Sequence, residues 1–131
     1  MTRFWITLDQ SIDLVIHVLE NMSGGEIYVP KLAKMSITEL ARAMGPDCLV
    51  EEVGIRPGEK IHKALLNEDE SARALGTGKY YEVPPQFKTW NNGNKTDEKR
   101  RLARGFVYTS ENAEDNLNAE QLTEIVSSLT K

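Results

Sequence analysis

The chain has 131 residues, a length that fits one domain with a modest hydrophobic core. Apolar residues make up 40% of it and charged residues 27%, which is ordinary for a soluble globular protein. The net charge of −4 argues against a broad electrostatic surface for nucleic acid, and the one cysteine, Cys48, excludes an internal disulfide and a multi-cysteine metal site.

The N-terminal sequence "MTRFWITLDQ" lacks the apolar stretch of a secretory signal peptide. No apolar run reaches the roughly 18 residues that a membrane span requires. We therefore expect a cytoplasmic protein without a membrane span.

The first part of the chain predicts alternating strands and helices. "RFWIT" is an aromatic and β-branched run typical of a strand. Thr7 and Gln10 have the spacing of a capping box, which predicts a helix over the following residues. "EIYVP" predicts a second strand. Ser36 and Glu39 form a second capping-box pattern, so a second helix should begin there and stop at the Gly-Pro pair at 45–46.

The middle of the chain predicts one more strand and one or two helices. "CLVEEVGI" is expected to form a strand, with Cys48 as a small core residue. A helix should then run from Pro57 to about Leu66. "NEDESARAL" either prolongs that helix or forms a second short one, and "KYYEVPP" predicts a strand or an extended segment.

The composition changes near the start of "KTWNNGNKTDEKRRLARG", which is polar and poor in apolar residues. This stretch predicts a long exposed loop, and "FVYTS" predicts a brief extended piece after it. Leu117 and Leu122 can form a hydrophobic staple around Asn118, with Gln121 at the third helical position. A last helix should therefore follow Asn118.

The order of elements is typical of an α/β fold with few, short and mostly parallel strands flanked by helices. We divide the chain into an α/β portion at residues 1–87 and a polar loop with a C-terminal helix at residues 88–131. Three or four short strands make a thin sheet, and each helix has an apolar face that needs a partner. We therefore expect part of a sheet protein rather than a complete one.

The stretch "GIRPGEK" is the strongest candidate for a site. Gly54 allows a tight exit from a strand, and Arg56 should lie just outside the helix that Pro57 begins. An arginine at a helix N-terminus can join the free backbone N–H groups in binding an anion such as phosphate. Glu59 could accept hydrogen bonds from sugar hydroxyls. In the structural alternative, Glu59 complements the helix dipole and Arg56 pairs with a neighbouring acid.

Other patterns are less informative. Arg3, taken alone, is a surface arginine beside two core aromatic residues. His17 and His62 fall on separate predicted helices without a second ligand at metal-binding spacing, so we expect no metal site. The sequence contains no G-x-G-x-x-G and no Tyr-x-x-x-Lys pattern, so no dinucleotide cofactor site of that kind is expected in this chain.

Several stretches together resemble one family. These are "MTRFWITLDQSIDLVI", "GGEIYVPKLAKMSITELARAM", "VGIRPGEKIHKALLNEDESAR", "YYEVPP" and "GFVYTSENAEDNLNAEQLTEIV". In this order they are similar to the C-terminal part of the inverting UDP-N-acetylglucosamine 4,6-dehydratases. Those enzymes are extended short-chain dehydrogenase/reductases of capsule, O-antigen and flagellin-glycan synthesis. The resemblance covers nearly the whole chain, and "MTRFWITL" and "GIRPGEK" are its most specific parts.

The resemblance implies a UDP-sugar substrate and a role for three residues. Arg3 and Arg56 match the arginines that approach the substrate's diphosphate, and Glu59 matches the acid that faces the nucleoside ribose. Two guanidinium groups on one diphosphate would neutralise its charge and fix its orientation. The resemblance further implies a homo-oligomeric parent enzyme that produces a 4-keto-6-deoxy sugar nucleotide.

The resemblance also implies what this chain lacks. The family's glycine-rich loop, Tyr-x-x-x-Lys pair and acid/base residues lie in an N-terminal Rossmann half that has no counterpart here. We therefore expect a fragment with no catalytic residue, inactive alone, whose parent enzyme binds NADP through the missing half. The alternatives are an epimerase or reductase of the same superfamily, and a non-enzymatic protein-interaction module that uses a sheet edge, the polar loop and the last helix.

Overall fold

The computed structural model describes residues 1–86 and 100–129. In chain order its elements are β1 Thr2–Trp5, α1 Leu8–Asn21, β2 Ile27–Pro30, β3 Ala33–Ser36, α2 Ile37–Met44, β4 Ala64–Leu66, α3 Glu68–Ser71, β5 Leu75–Gly76, β6 Tyr80–Val83, β7 Arg100–Arg101, β8 Tyr108–Thr109 and α4 Ala119–Leu129. No helix among the described residues is both long and apolar enough to cross a membrane. Most of the predicted polar loop, at 88–99, lies outside the described residues.

The chain divides into two compact units, which are described separately. Unit 1 consists of three segments, Met1–Trp5, Leu32–Lys63 and Thr109–Lys131. Unit 2 consists of two segments, Ile6–Lys31 and Ala64–Tyr108.

Unit 1 is built on an antiparallel pair of strands. In this pair of β1 with β3, Thr2 lies opposite Ser36 and Trp5 lies opposite Ala33. The backbone of Lys34 in β3 also exchanges hydrogen bonds with residues 115–117, at 2.8 and 2.9 Å. The chain passes directly from β3 into α2, and α2 packs against α4. The apolar core of this unit consists of Met35, Ala113 and Leu122.

Unit 2 contains a four-stranded sheet in the order β2-β6-β5-β7, so β2 and β7 are its edges. Its apolar core consists of Val29, Leu66, Ala74, Tyr81, Val83 and Tyr108. The ring of Tyr81 lies near the rings of Phe106 and Tyr108, with centroid distances of 5.7 and 5.1 Å. Aromatic rings at these distances add to the stabilisation that comes from burial of their area.

Of the two predicted capping boxes, the one before α1 is confirmed. Before α1, the Thr7 hydroxyl accepts the Gln10 N–H, and the Gln10 side chain accepts the Thr7 N–H, at 3.2 and 2.9 Å. Asn118 and Gln121 make the same reciprocal pair before α4, at 2.9 and 3.0 Å. Ser36 is the N-cap of α2, but its hydroxyl bonds to another side-chain hydroxyl and makes no cap hydrogen bond, so that box prediction is wrong.

The α/β class is confirmed, but the mostly parallel arrangement is not found. The pairs β1–β3, β2–β6, β5–β6 and β5–β7 are all antiparallel. Alternation of strands and helices along a chain does not decide which strands pair. Here β2 pairs with β6, far along the chain, while β3 begins three residues after β2 and pairs with β1.

Two predicted elements in the middle of the chain are wrong. "CLVEEVGI" forms neither a strand nor a helix, and Cys48 is exposed rather than part of the core. The helix from Pro57 to Leu66 is absent, and the end of that stretch forms β4 instead. The choice left open for "NEDESARAL" resolves to a separate short helix, α3, with a capping box between Asn67 and Glu70.

Tyr28 makes the stability of unit 2 depend on pH in the alkaline range. Burial and the carboxylates of Glu82 and Glu26 raise the pKa of Tyr28 from 10.0 to about 12. The folded pKa lies above the unfolded one, so the stabilisation from neutral Tyr28 is fully present below pH 10.0 and lost as the pH rises toward about 12. We expect Tyr28→Phe to flatten the fall of melting temperature across this window. A fall as steep as that of the unmodified chain would contradict the assignment.

Candidate functional site

The corner "IRPGEK" is a tight turn rather than the start of a helix. The Glu59 N–H donates to the Arg56 carbonyl at 3.0 Å, which closes a four-residue turn. Pro57 occupies its second position, and Gly58, with a φ of 79°, its third. This is the residue pattern of a type II turn, which requires a positive φ at the third position. Because that φ is incompatible with a helix, no helix dipole is available here to attract an anion.

Glu59 connects two of the residues predicted for the site. One carboxylate oxygen accepts the backbone N–H of Arg56 at 3.3 Å. The other lies 3.5 Å from the guanidinium of Arg3. The side chain of Glu59 is 32% exposed and that of Arg3 is 21% exposed. The structure therefore brings Arg3, Arg56 and Glu59 together in unit 1. Two roles were considered for Glu59, hydrogen bonding to sugar hydroxyls and complementation of a helix dipole. The second is excluded, since the helix is absent.

The two arginines differ in how they are held. Arg3 Nη1 donates to the carbonyls of Thr2 and Ile61 at 2.7 and 3.0 Å, and Nη2 approaches the Met1 sulfur and Glu59. Both terminal nitrogens of Arg3 are thus engaged within unit 1. The Arg56 side chain is exposed and makes no hydrogen bond or ion pair with the part of the chain that the structure describes. Arg56 therefore offers an open planar fork for an anion, whereas the guanidinium of Arg3 is held in place.

A hydrogen-bonded cluster that the sequence did not predict lies beside Arg3. Thr2 Oγ1 is 2.7 Å from His62 Nδ1 and 2.8 Å from Ser110 Oγ. Ser110 is fully buried, accepts the Lys63 N–H at 2.9 Å and can donate to the Thr2 carbonyl at 3.1 Å. We call Thr2, His62 and Ser110 the hydroxyl–histidine cluster. Its members are separated by 60 and 108 positions, so no local spacing could have indicated it.

The hydroxyl–histidine cluster is arranged for structure rather than for nucleophilic chemistry. A nucleophilic Thr2 would need its hydroxyl oxygen open to a substrate, but that oxygen is bonded to both His62 and Ser110. On its far side, His62 Nε2 lies 3.8 Å from a carboxylate oxygen of Glu111. The ring is therefore oriented by groups at both nitrogens.

The second histidine belongs to unit 2 and has a packing role. His17 stacks on Tyr80 with a centroid distance of 4.4 Å and an interplanar angle of 20°. Within residues 1–86 and 100–129, no group of three or more His, Cys, Asp or Glu side chains is placed to hold a metal ion.

The residues present do not fit a dinucleotide cofactor. The one Gly-x-Gly stretch, Gly76–Gly78, connects β5 to β6, two antiparallel strands of one sheet. A pyrophosphate-binding loop requires a third glycine and a following helix N-terminus, and neither occurs at this hairpin. The charged cluster around Arg3 and Glu59 has donors for an anion but no such loop.

The chain thus has an α/β fold, and its candidate site is the corner that contains Arg56 and Glu59, beside Arg3. Its sequence contains no glycine-rich loop for a dinucleotide. Residues 1–85 match the family described as "Polysaccharide biosynthesis protein". The chain belongs to this family.

The resemblance to the inverting dehydratases is confirmed. The chain is 34% and 35% identical to the UDP-N-acetylglucosamine 4,6-dehydratases (inverting) of two Campylobacter jejuni strains, over 96% of its length and 40% of theirs. It is also 32% identical to the UDP-glucose 4-epimerase of Rickettsia bellii, over 98% of its length and 39% of that protein. The chain thus spans about two-fifths of the relatives it matches.

The fold has a counterpart among solved structures. The X-ray structure of Pen from Bacillus thuringiensis superposes with a TM-score of 0.74 at 27% identity. The match covers 98% of this chain and 37% of that one. Sequence and structure comparisons therefore agree that nearly all of this chain corresponds to a part of a longer protein.

Proposed function

We propose that the chain is the substrate-binding portion of a short-chain dehydrogenase/reductase that acts on a nucleotide sugar, with UDP-N-acetylglucosamine 4,6-dehydratase as the activity of the whole enzyme. Its 34–35% identity to the Campylobacter dehydratases supports this activity. The single observation in the structure that carries the proposal is the cluster of Arg3, Arg56 and Glu59. These residues are up to 56 positions apart in sequence but adjacent in unit 1.

Each residue of the cluster has a specific role in the proposal. Arg56 binds the diphosphate with its exposed fork, since charge-assisted bidentate hydrogen bonds are well suited to phosphate oxygens. Arg3 adds a second positive charge from a fixed position. Glu59 accepts a hydrogen bond from a ribose hydroxyl. All three lie in residues 1–87, the portion that we propose to carry the substrate contacts.

The chemistry of the sugar ring lies outside this chain in the proposal. Hydride transfer in such an enzyme requires NADP, and the chain has neither the glycine-rich loop nor the Tyr-x-x-x-Lys pair. The contribution of this chain is to bind the nucleotide and so to hold the sugar in place for groups elsewhere. We propose that the whole enzyme is a cytoplasmic homo-oligomer and that this chain is inactive alone.

The proposal is tested with Arg56→Ala and UDP. We expect UDP to raise the melting temperature of the unmodified chain, and Arg56→Ala to weaken UDP binding by about tenfold or more, the effect of losing a hydrogen bond to a charged group. Arg42→Ala is the matched control, since Arg42 is another exposed arginine of unit 1, on α2. Binding of UDP by Arg56→Ala with the affinity of the unmodified chain would remove Arg56 from the site.

A dehydratase and an epimerase would share this binding corner. The Rickettsia relatives, which are UDP-glucose 4-epimerases, support the epimerase as an alternative. The two are distinguished by the product of the full-length polypeptide with each UDP-sugar. A 4-keto-6-deoxy product from UDP-N-acetylglucosamine indicates the dehydratase, and interconversion at C4 without loss of water indicates the epimerase.

A second candidate function, a non-enzymatic protein-interaction module, is favoured by α1. The apolar residues that recur at helical spacing along α1, namely Ile12, Val15, Ile16 and Leu19, are 49–70% exposed, and no residue of the helix is buried. The neighbouring strand β2 is an edge of its sheet. Both features suit contact with further polypeptide. In light scattering, a stable oligomer indifferent to UDP favours the interaction module, and a monomer stabilised by UDP favours the binding portion.

A further inference from the structure

We propose that the hydroxyl–histidine cluster positions the diphosphate site. In this inference, which rests on the proposed function, Thr2, His62 and Ser110 fix β1 against residues 61–63 so that Arg3, together with its partner Glu59, meets a nucleoside diphosphate in a set geometry. These three residues do not touch the ligand. They are positioning residues that act through Arg3 and Glu59.

Backbone hydrogen bonds connect Thr2 to the guanidinium of Arg3. Thr2 immediately precedes Arg3, and its backbone N–H donates to the Ile61 carbonyl at 3.1 Å. The same carbonyl accepts a hydrogen bond from the Arg3 guanidinium at 3.0 Å. The Thr2 carbonyl accepts the second Nη1 hydrogen bond at 2.7 Å. The position of the Arg3 guanidinium is therefore set by two carbonyls, and each of them also accepts a hydrogen bond from a member of the cluster.

Ser110 holds the segment of residues 61–63 at Lys63. Its hydroxyl accepts the Lys63 N–H at 2.9 Å, and its backbone N–H donates to the Lys63 carbonyl at 2.8 Å. Ser110 thus binds both the N–H and the carbonyl of Lys63, the residue that follows His62. Because Ser110 is fully buried, water cannot replace these hydrogen bonds if the hydroxyl is removed.

The hydrogen bonds of the two hydroxyl groups and His62 form a directed chain. If His62 Nδ1 carries a proton, it donates to Thr2 Oγ1, Thr2 donates to Ser110 Oγ, and Ser110 donates to the Thr2 carbonyl. If Nδ1 lacks a proton, Thr2 donates to it and Ser110 donates to Thr2 Oγ1. Every member is satisfied in both arrangements, so the cluster holds the two segments together in either tautomer of His62.

The cluster also gives a role to a part of the chain far from the arginines in sequence. Residues 109–111 reach the site through Ser110 and through Glu111, which faces His62. The segment after the polar loop is thereby a structural component of the diphosphate site.

The test compares Thr2→Val with Thr2→Ser. Valine removes the hydroxyl at nearly constant volume, whereas serine keeps the hydroxyl. We expect Thr2→Val and Ser110→Ala to weaken UDP binding about fivefold to tenfold in calorimetric titration, at a temperature where circular dichroism shows each variant folded. Thr2→Ser should stay within about twofold of the unmodified chain. Ser127→Ala is the control, because the Ser127 hydroxyl also bonds to a backbone carbonyl but is exposed on α4.

A second measurement does not depend on UDP. In NMR relaxation experiments, the Arg3 side-chain Nε–H should become mobile in Thr2→Val and stay ordered in Thr2→Ser. An Arg3 signal equally ordered in both variants would overturn the positioning role, whether or not UDP binds. Unaltered UDP affinity in folded Thr2→Val and Ser110→Ala would overturn it as well. If the unmodified chain binds no UDP while Arg3 responds as expected, the proposed function fails and the positioning of Arg3 stands.

Discussion

Arg3→Ala is expected to weaken UDP binding by about 10- to 100-fold, more than Arg56→Ala. One hydrogen bond to a charged group is worth about 1.5–3 kcal/mol, which corresponds to this range of affinity. Arg3 contributes its charge and also holds the Ile61 carbonyl and the carboxylate of Glu59. Removal of Arg3 therefore also disturbs Glu59, the one acid of the proposed site, whereas the Arg56 side chain makes no comparable contacts with described residues.

Arg3→Lys tests whether UDP binding requires only the positive charge of Arg3 or also its planar guanidinium group. Lysine keeps the positive charge but cannot reach two carbonyls with one planar group, so it should recover only part of the lost affinity. The measurement is calorimetric titration with UDP on each folded variant. Binding by Arg3→Ala that equals binding by Arg42→Ala would exclude Arg3 from the site. Full recovery in Arg3→Lys would show that charge alone matters.

Leu122→Ala is expected to lower the free energy of unfolding by about 3 kcal/mol. Leucine-to-alanine changes at fully buried sites cost roughly 2–5 kcal/mol, through lost burial and the cavity that remains. Leu122 has no exposed surface, and its helix α4 is the packing partner of α2. Leu122 is also the predicted staple partner of Leu117 at the start of α4. This residue therefore stabilises both the helix and its packing.

Leu49→Ala is the matched control for Leu122→Ala. Leu49 is fully exposed, so the same chemical change should alter the free energy of unfolding by no more than about 0.5 kcal/mol. Both values come from urea unfolding, with comparison of midpoints and slopes. Similar losses for the two variants would contradict the assignment of Leu122 to the core of unit 1.

The elements that were predictable from the sequence depend on local interactions. The capping boxes at Thr7 and Asn118 succeed because each joins residues three positions apart, whatever the rest of the chain does. The box at Ser36 is not formed: its hydroxyl lies 2.7 Å from that of Thr38 and makes no cap hydrogen bond to α2. Local patterns thus predicted the starts of α1, α2 and α4, but spacing alone did not decide which caps form.

The Pro-Gly pair shows why one pattern can support two structures. Pro57 suits the first position of a helix and equally the second position of a turn, since its fixed φ fits both. The positive φ of Gly58 decides for the turn, and this angle cannot be read from the sequence. The direction of strand pairing was equally inaccessible, because it depends on contacts between distant segments such as β2 and β6.

The candidate site was predictable only through the resemblance. Spacing alone left Arg56 and Glu59 with a structural alternative and gave no reason to join them to Arg3. The structure places Glu59 against Arg3, so it supports their grouping, while their contact with a ligand stays a prediction. The hydroxyl–histidine cluster had no sequence signal at all, because its partners meet only in the folded chain.

The three-segment construction of unit 1 has a consequence for its biosynthesis. Within unit 1, β1 is synthesised before the segment that contains Ser110 and α4. At roughly 5–20 residues per second, the early segments wait several seconds for the partners that complete their hydrogen bonds and core. Such distant contacts also slow folding after release, because long loops must close before the contacts form. During synthesis, Met35 therefore has no access to Ala113 and Leu122, the other buried apolar residues of unit 1, until the third segment is made.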